Sequence, residues 1–281
     1  MRRKKKNNFT QLSLFGDEFI QAPKDKGEAL MNSNKLNNST IIKNISFDQK
    51  EILWNIMKLH NDGKPYDCDI TASTLKFYER KKSDKYYIPE PKYLFDVYPQ
   101  QDKIKKIVPF QDIPLEDNSI HSIVVDLPFV VSPKTCKSML KDPSDGSCLI
   151  ANRFASWYPY MEAYENMYWW LSQCNRVIEN GGIIVWKMQN TVSGGVNHWF
   201  TDFCKICGQY FGLYVIDDFV LEAKARLISA AKYKKQCHAR KFTSNFIVFK
   251  KDEKLGKKFS ILNILEQCKE NVYKGKEWEI K

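Results

Sequence analysis

Two short apolar runs constrain the fold of this chain more than any other part of its sequence. Residues 120–125 and 183–185 are nearly continuous in apolar side chains, a pattern typical of strands that are covered on both faces. The strongest helical pattern, over residues 159–180, lies between them and ends at Gly181-Gly182. A strand, a helix and a second strand in this order predict a parallel pair joined by a crossover.

The rest of the chain repeats this alternation of strand and helix patterns. The seven candidate strands are residues 66–71, 93–98, 106–110, 121–126, 182–188, 213–219 and 245–250. A second amphipathic helix is predicted over residues 196–210. Together these elements predict one doubly wound α/β domain, in which ligands collect at the carboxyl ends of the strands.

Composition separates this domain from the two ends of the chain. Residues 1–43 are rich in Lys, Asn, Ser and Gln without a sustained period, which predicts a disordered basic arm. Residues 44–255 form the predicted folded domain, and residues 256–281 a C-terminal tail or short helix.

Charge and cysteine usage limit the environment and the partners. The net charge of +11 favours a polyanionic partner. No run approaches the roughly 18 apolar residues of a membrane span, and the basic start is not followed by a signal peptide's apolar region. We therefore predict a cytoplasmic protein without membrane association, whose cysteines are free thiols. Cys204 and Cys207 could join Cys237 and His238 in a zinc site, but a place in a predicted helix favours core packing, so no metal is predicted.

Acidic residues lie at the ends of four successive predicted strands. They are Asp69, Asp96, Asp112 and Asp126. Because the carboxyl ends of parallel strands meet at one edge of a sheet, the sequence predicts a polar ligand lying across that edge. No Gly-x-Gly-x-x-Gly follows a strand, which disfavours a nicotinamide dinucleotide.

The fourth predicted strand ends in Asp126-Leu127-Pro128-Phe129, which follows the pattern Asp/Asn/Ser-Pro-Pro-aromatic except at Leu127. With segments 110–120 and 175–182, this tetrapeptide makes residues 66–250 resemble the S-adenosylmethionine-dependent amino-methyltransferases of DNA. The resemblance is specifically to a phage- and prophage-type adenine methyltransferase group. It implies a Rossmann-like class I methyltransferase fold with a seven-stranded, mostly parallel sheet, an antiparallel last strand and helices on both faces. It also implies S-adenosylmethionine as the cofactor, adenine N6 in DNA as the target, and a bacterial or phage-infected cell.

The tetrapeptide also has a chemical rationale of its own. An exocyclic base amine is a poor nucleophile because its lone pair is delocalised into the ring. The Asp126 side chain and the Leu127 carbonyl can accept from its two hydrogens, and Pro128 keeps the backbone of Leu127 extended. Phe129 can stack on a base taken out of its helix. The predicted catalytic residues are therefore these four.

The resemblance assigns the cofactor to the other strand ends. The loop after the first strand has small residues but none of the family's glycines. Asp96 is expected to bind ribose hydroxyls, and Asp112 to accept from the adenine amino group. The predicted cofactor-binding residues are Asp69, Thr71, Ala72, Ser73, Asp96, Asp112 and Ile113.

Basic residues interleaved with aromatic ones occur after the tetrapeptide and between the last two predicted strands. Those predicted to contact DNA are Lys134, Lys137, Arg153, Lys232, Lys234, Lys235, Arg240 and Lys241. A solvated basic loop is the alternative. Lys187 and Gln189, at the end of the fifth predicted strand, could line the pocket.

The arm contains Gln11-Leu12-Ser13-Leu14-Phe15, which resembles the bacterial sliding-clamp-binding motif Gln-Leu-Ser/Asp-Leu-Phe at every position. Leu14 and Phe15 can fill an apolar pocket, Leu12 can add a contact, and Gln11 can hydrogen-bond at its rim. The motif predicts the clamp as a partner. A chance apolar patch, or a strand that docks on the domain, is the alternative.

Two other functions stay open at this point. An RNA base methyltransferase would use the same site chemistry. A non-catalytic nucleic-acid-binding relative is favoured by the missing glycines and disfavoured by Asp126 and Pro128. Chemistry does not separate adenine from cytosine as the target, and the sequence does not indicate an oligomeric state.

Overall fold

The computed structural model describes residues 41–78, 84–131, 157, 159–224 and 237–273. The strands are β1 (Ile45–Ser46), β2 (Cys68–Asp69), β3 (Tyr93–Asp96), β4 (Lys105–Lys106), β5 (Ile120–Asp126), β6 (Ile178–Met188), β7 (Thr191–Ser193), β8 (Val196–His198), β9 (Leu213–Glu222) and β10 (Thr243–Lys251). The helices are α1 (Gln49–His60), α2 (Tyr160–Val177), α3 (Phe200–Tyr210), α4 (Glu253–Lys258) and α5 (Ile261–Tyr273).

One sheet organises the described residues, in the order β1-β9-β10-β6-β5-β2-β3-β4. Each of β2, β3 and β5 pairs in parallel with both of its neighbours in the sheet, whereas β10 is antiparallel to both β6 and β9. The predicted α/β Rossmann-like fold with a mostly parallel sheet is confirmed. The chain moves outward from β2 in one direction and from β5 in the other, so the strand order reverses between these two strands.

The predicted number of seven strands is wrong, because the described sheet has eight. The additional strand, β1, pairs in parallel with the end of β9, and the Val220 N–H donates to the Asn44 carbonyl at 2.6 Å. Two residues are too short to show a strand period in the sequence. The third predicted strand, residues 106–110, is also largely wrong, because Phe110 turns the chain with a φ of 63°.

The predicted helix over residues 196–210 begins later than its apolar pattern indicates. Its first residues instead form β8, which pairs with β7 across a two-residue turn at Gly194 and Gly195. Both glycines have positive φ, 57° and 79°, as a tight hairpin of this type requires. The helix α3 therefore starts at Phe200, after a hairpin that projects beyond the end of β6.

The core lies on both faces of the sheet. On one face, Trp186 and Met188 of β6 belong to a buried cluster with residues of α2 and α3. Val185 points to the other face, as alternate strand residues do, and is also buried. Lys187 shares that second face, where its Nζ contacts Gln49 Oε1 of α1 at 3.4 Å. Helices thus cover both faces, as expected.

Among the described helices, none combines the length and the apolar character that a bilayer crossing requires.

Candidate active site

The ends of β6, β5, β2 and β3 lie side by side and place four functional groups on one edge of the sheet. Asp69 ends β2, Asp96 ends β3, and Asp126 ends β5, where it is paired in register with Lys187 of β6. The strand order reverses between β2 and β5, and crevices at such switch points are where open α/β sheets bind ligands. Asp69 and Asp126 flank this crevice.

Asp69 is turned into the protein, with 1% of its surface exposed. Its Oδ1 accepts from the Thr71 N–H at 2.7 Å and the Thr71 hydroxyl at 3.1 Å, while its Oδ2 accepts from the Tyr78 hydroxyl at 2.7 Å. Burial raises the pKa of Asp69 to about 7, although the bonds from Tyr78 and Thr71 oppose that shift. The carboxyl group therefore holds the loop after β2 from beneath.

Thr71 connects this loop to the tetrapeptide. Its hydroxyl donates to Asp69 and accepts from the Asp126 N–H at 2.7 Å. One side chain thus fixes the backbone of Asp126 relative to the end of β2.

The loop after β2 makes its turns without glycine. Ser73 and Leu75 adopt positive φ values of 45° and 61°, a region that glycine usually occupies. The Ser73 N–H donates to Asp96 Oδ2 at 2.8 Å, and the Ala72 N–H donates to the Phe95 carbonyl at 3.0 Å. These bonds hold the strained turn against β3.

Asp96 keeps acceptor capacity at the edge of the sheet. Its Oδ1 accepts from the Tyr98 N–H at 2.7 Å, and its Oδ2 from the Ser73 N–H. Burial raises the pKa of Asp96, and the backbone N–H groups oppose that shift. Each carboxylate oxygen has a further lone pair, so both can accept a second hydrogen bond.

Asp112 lies beyond β4 rather than at its tip, and α2 holds it in place. Gln173 Nε2 donates to Asp112 Oδ1 at 2.9 Å, and the Ile113 N–H donates to Gln173 Oε1 at 3.2 Å. Arg176 donates to the Ile113 and Leu115 carbonyls at 2.8 and 2.9 Å. The Asp112 side chain is exposed, whereas the Ile113 side chain is buried.

Asp126 forms an ion pair with Lys187, whose Nζ lies 2.7 Å from its Oδ2. The two side chains are 24% and 12% exposed, so the pair is largely withdrawn from water. Among the described residues, no hydrogen bond reaches the other oxygen, Oδ1, or the Leu127 carbonyl. Within the described part of the chain, both oxygens therefore keep an unused acceptor position, although the Leu127 residue itself is only 4% exposed.

The remainder of the tetrapeptide is fixed by Trp157. The Trp157 indole donates to the Pro128 carbonyl at 2.6 Å, and its backbone N–H donates to the Val130 carbonyl at 2.9 Å. Phe129 is partly buried and packs against the core.

Sequence reasoning did not find Tyr78, Trp157 or Gln173 as supports of the site, because each acts through a contact distant in the sequence. The usable signal was weak: Tyr78 and Trp157 are aromatic residues with a polar group in predicted loops, and Gln173 is a polar residue within the predicted helix.

Several predicted residues lie outside the described part of the chain. They are Gln11, Leu12, Ser13, Leu14, Phe15, Lys134, Lys137, Arg153, Lys232, Lys234 and Lys235. Of the predicted DNA contacts, Arg240 is exposed and Lys241 half-buried, just before β10. Cys204 and Cys207 are buried free thiols of α3.

The strand order, which reverses between β2 and β5, defines a Rossmann-like α/β fold. Among solved structures, the chain is similar to a Thermus thermophilus protein described as a candidate DNA modification methylase, at 11% identity over 49% of this chain and 47% of that one (TM-score 0.30). It is similar to the PvuII cytosine-N4-specific DNA methyltransferase at 18% identity over 50% and 45% (TM-score 0.35). It is also similar to the methyltransferase CalH, solved with SAH, at 7% identity over 72% and 55% (TM-score 0.36).

The chain spans about half the length of the first two of these proteins. No family model and no curated protein sequence matches it. Structural likeness this weak does not indicate a function.

Proposed function

We propose that this chain transfers a methyl group from S-adenosylmethionine to the exocyclic amino group of a base in DNA, with adenine N6 as the target. The observation that most supports the proposal is the pair of neighbouring acceptors at the switch point, Asp126 Oδ1 and the Leu127 carbonyl. An amino group offers two hydrogens, and the two acceptors can take one each.

The acceptors act on the nucleophile. Holding both N–H bonds draws the amine from its planar, delocalised form towards a tetrahedral one whose lone pair is free to attack. Lys187 fixes the orientation of the Asp126 carboxylate, and Thr71 fixes its backbone. Phe129 offers a ring on which the extruded base stacks. After transfer, the amine nitrogen carries one proton too many, and the Asp126 carboxylate accepts it.

The residues beside the crevice fit the cofactor. S-adenosylmethionine supplies an electrophilic methyl group, two ribose hydroxyls and an adenine amino group. The spare lone pairs of Asp96 suit the ribose, and the exposed Asp112 carboxylate suits the amino group. The backbone of Thr71, Ala72 and Ser73, in the loop after β2, is proposed to hold the rest of the cofactor, and Asp69 supports this loop through its bonds to Thr71.

DNA is the proposed substrate because cations accompany the crevice. Arg240 and Lys241 lie beside the end of β6, since Gln189 Nε2 donates to the Lys241 carbonyl at 3.2 Å. We propose that the basic residues outside the described ranges also contact the phosphate backbone. They are Lys134, Lys137, Arg153, Lys232, Lys234 and Lys235.

The sliding clamp is proposed as a further partner on sequence grounds alone. Residues 11–15 would tether the enzyme to the replication clamp and raise the local DNA concentration without a new DNA contact.

Transfer of a labelled methyl group from S-adenosylmethionine to DNA and to RNA tests the proposal. The expected product, identified by mass spectrometry of the nucleosides, is N6-methyladenine in DNA. N4-methylcytosine as the product would identify cytosine as the target base instead. Label in RNA alone would identify RNA as the substrate. Cofactor binding by calorimetry without transfer to either polymer would indicate a non-catalytic relative.

A further inference from the structure

The hairpin of β7 and β8 stands beside the proposed catalytic tetrapeptide. It follows the end of β6 directly, and Ser193 Oγ donates to the Val131 carbonyl at 2.8 Å, five residues beyond Asp126. Since β6 ends at the ligand edge of the sheet, the hairpin extends that edge outward.

A second segment, residues 237–242, lies against the hairpin. It precedes β10, which enters the sheet at the same edge because Asn245 pairs antiparallel with Met188. The Gly195 carbonyl can only accept, so His238 Nε2 donates to it at 2.7 Å and leaves Nδ1 to accept from the Asn197 amide at 3.2 Å. One neutral form of His238 satisfies both bonds and fixes the segment to the hairpin.

This arrangement presents an aromatic ring with a cation on it. Trp199 follows the hairpin and precedes α3, and 53% of its surface is exposed. Lys241 Nζ lies 4.8 Å from the centroid of its ring, within the range of a cation–π contact. Arg240, the residue before Lys241, is exposed. An exposed indole with the Lys241 ammonium group next to its ring suits a ligand that has both a flat aromatic part and a negative charge.

A nucleotide is such a ligand. The position of Trp199 beside the ligand edge of the sheet favours a nucleotide over a peptide or a lipid. The ring lies at the edge where the target base would enter, on a chain with a net charge of +11. We propose that Trp199, with Lys241 and Arg240, is a stacking platform for a nucleotide that flanks the target base. The base stacks on the indole while Lys241 and Arg240 contact its phosphates. This inference rests on the proposed nucleic-acid substrate.

The test measures binding of a short fluorescein-labelled single-stranded oligodeoxynucleotide to the full chain by anisotropy. Trp199→Ala is expected to weaken binding about 5- to 100-fold, the range for loss of one base–aromatic stack. Trp199→Phe keeps an aromatic face and is expected to stay within about threefold of the parent. Lys241→Gln is expected to lower the log–log salt slope by about 0.7, as for one phosphate contact to a single strand.

Tyr210→Ala is the matched control. Tyr210 is 66% exposed at the other end of α3, about 16 Å from Trp199 by the rise per residue of a helix. This control is expected to bind as the parent does. Equal binding by the parent and Trp199→Ala would overturn the platform and leave the proposed substrate intact. A parent that binds neither single-stranded nor duplex DNA would overturn the proposed substrate, and the platform with it.

Discussion

Lys187 Nζ lies 2.7 Å from Asp126 Oδ2, and this ion pair joins the ends of β5 and β6, two parallel strands on one side of the switch point. The pair occupies one carboxylate oxygen, and no hydrogen bond from a described residue reaches the other. It also offsets the negative charge of Asp126, which would otherwise be poorly hydrated in a site largely closed to water.

Two substitutions of Asp126 distinguish the loss of its acceptor oxygen from the loss of its negative charge. Asp126→Ala is expected to lower kcat by about 100-fold, because a lost hydrogen bond to a charged group costs about 1.5–3 kcal/mol and the amine is also misplaced. Asp126→Asn keeps an acceptor oxygen but cannot take up the amine proton, so it is expected to lose less activity than Asp126→Ala without returning to the parental rate. Single-turnover methyl transfer measures both, and calorimetry should show cofactor binding within about threefold of the parent. Asp126→Ala with near-parental transfer would remove Asp126 from the catalytic site.

Lys187→Met tests the ion pair itself. The variant keeps most of the length of the side chain, being one atom shorter, and frees Asp126 Oδ2, so kcat is expected to fall about tenfold while the cofactor KM changes little. Lys205→Met is the control, since Lys205 forms a comparable pair with Asp218, 2.6 Å apart, between α3 and β9. Steady-state kinetics of both variants measure kcat and the cofactor KM. Equal losses in the two would show a general effect on folding.

Asp69→Asn is expected to change how stability depends on pH. The folded pKa of Asp69 is about 7, above its ordinary value of 3.8, so the folded state binds this proton more tightly than the unfolded state. Stability from this group is therefore full below the unfolded pKa and is lost as pH rises towards 7. Asparagine cannot ionise, and its oxygen can still accept from Thr71.

Urea unfolding at pH 5 and pH 8 measures this effect. The difference in unfolding free energy between variant and parent is expected to shift in favour of the variant by about 2–3 kcal/mol, since one pKa unit corresponds to about 1.4 kcal/mol. Parallel pH profiles of the two proteins would show that Asp69 does not titrate in this range.

The clamp proposal needs only a peptide of residues 7–19 and a purified bacterial sliding clamp. Calorimetry is expected to give micromolar binding, because Leu14 and Phe15 can fill an apolar pocket without a folded core of their own. Replacing both by alanine removes that contact and should abolish binding. A parent peptide that does not bind at hundreds of micromolar would refute the motif.

The class of fold, and the strands that end in Asp96 and Asp126, could be predicted from local patterns in the sequence alone. Buried parallel strands have nearly continuous apolar runs, and a helix has its own period, so both are visible in a short window. Asp126 and Asp96 could be assigned to strand ends for that reason. The hairpin was missed because its strands are three residues each and its apolar residues also fit a helical period.

The contacts of individual side chains could not be predicted in this way, because they depend on how the elements pack together. Lys187 and Asp126 are 61 residues apart in the chain and meet because β5 and β6 pair in one register. Tyr78 binds the Asp69 carboxyl inside the protein. The ring of Trp199 contacts Lys241, which lies in the segment between β9 and β10. A local pattern specifies an element and the face it buries, whereas the partner of a side chain depends on packing between elements that are distant in the sequence.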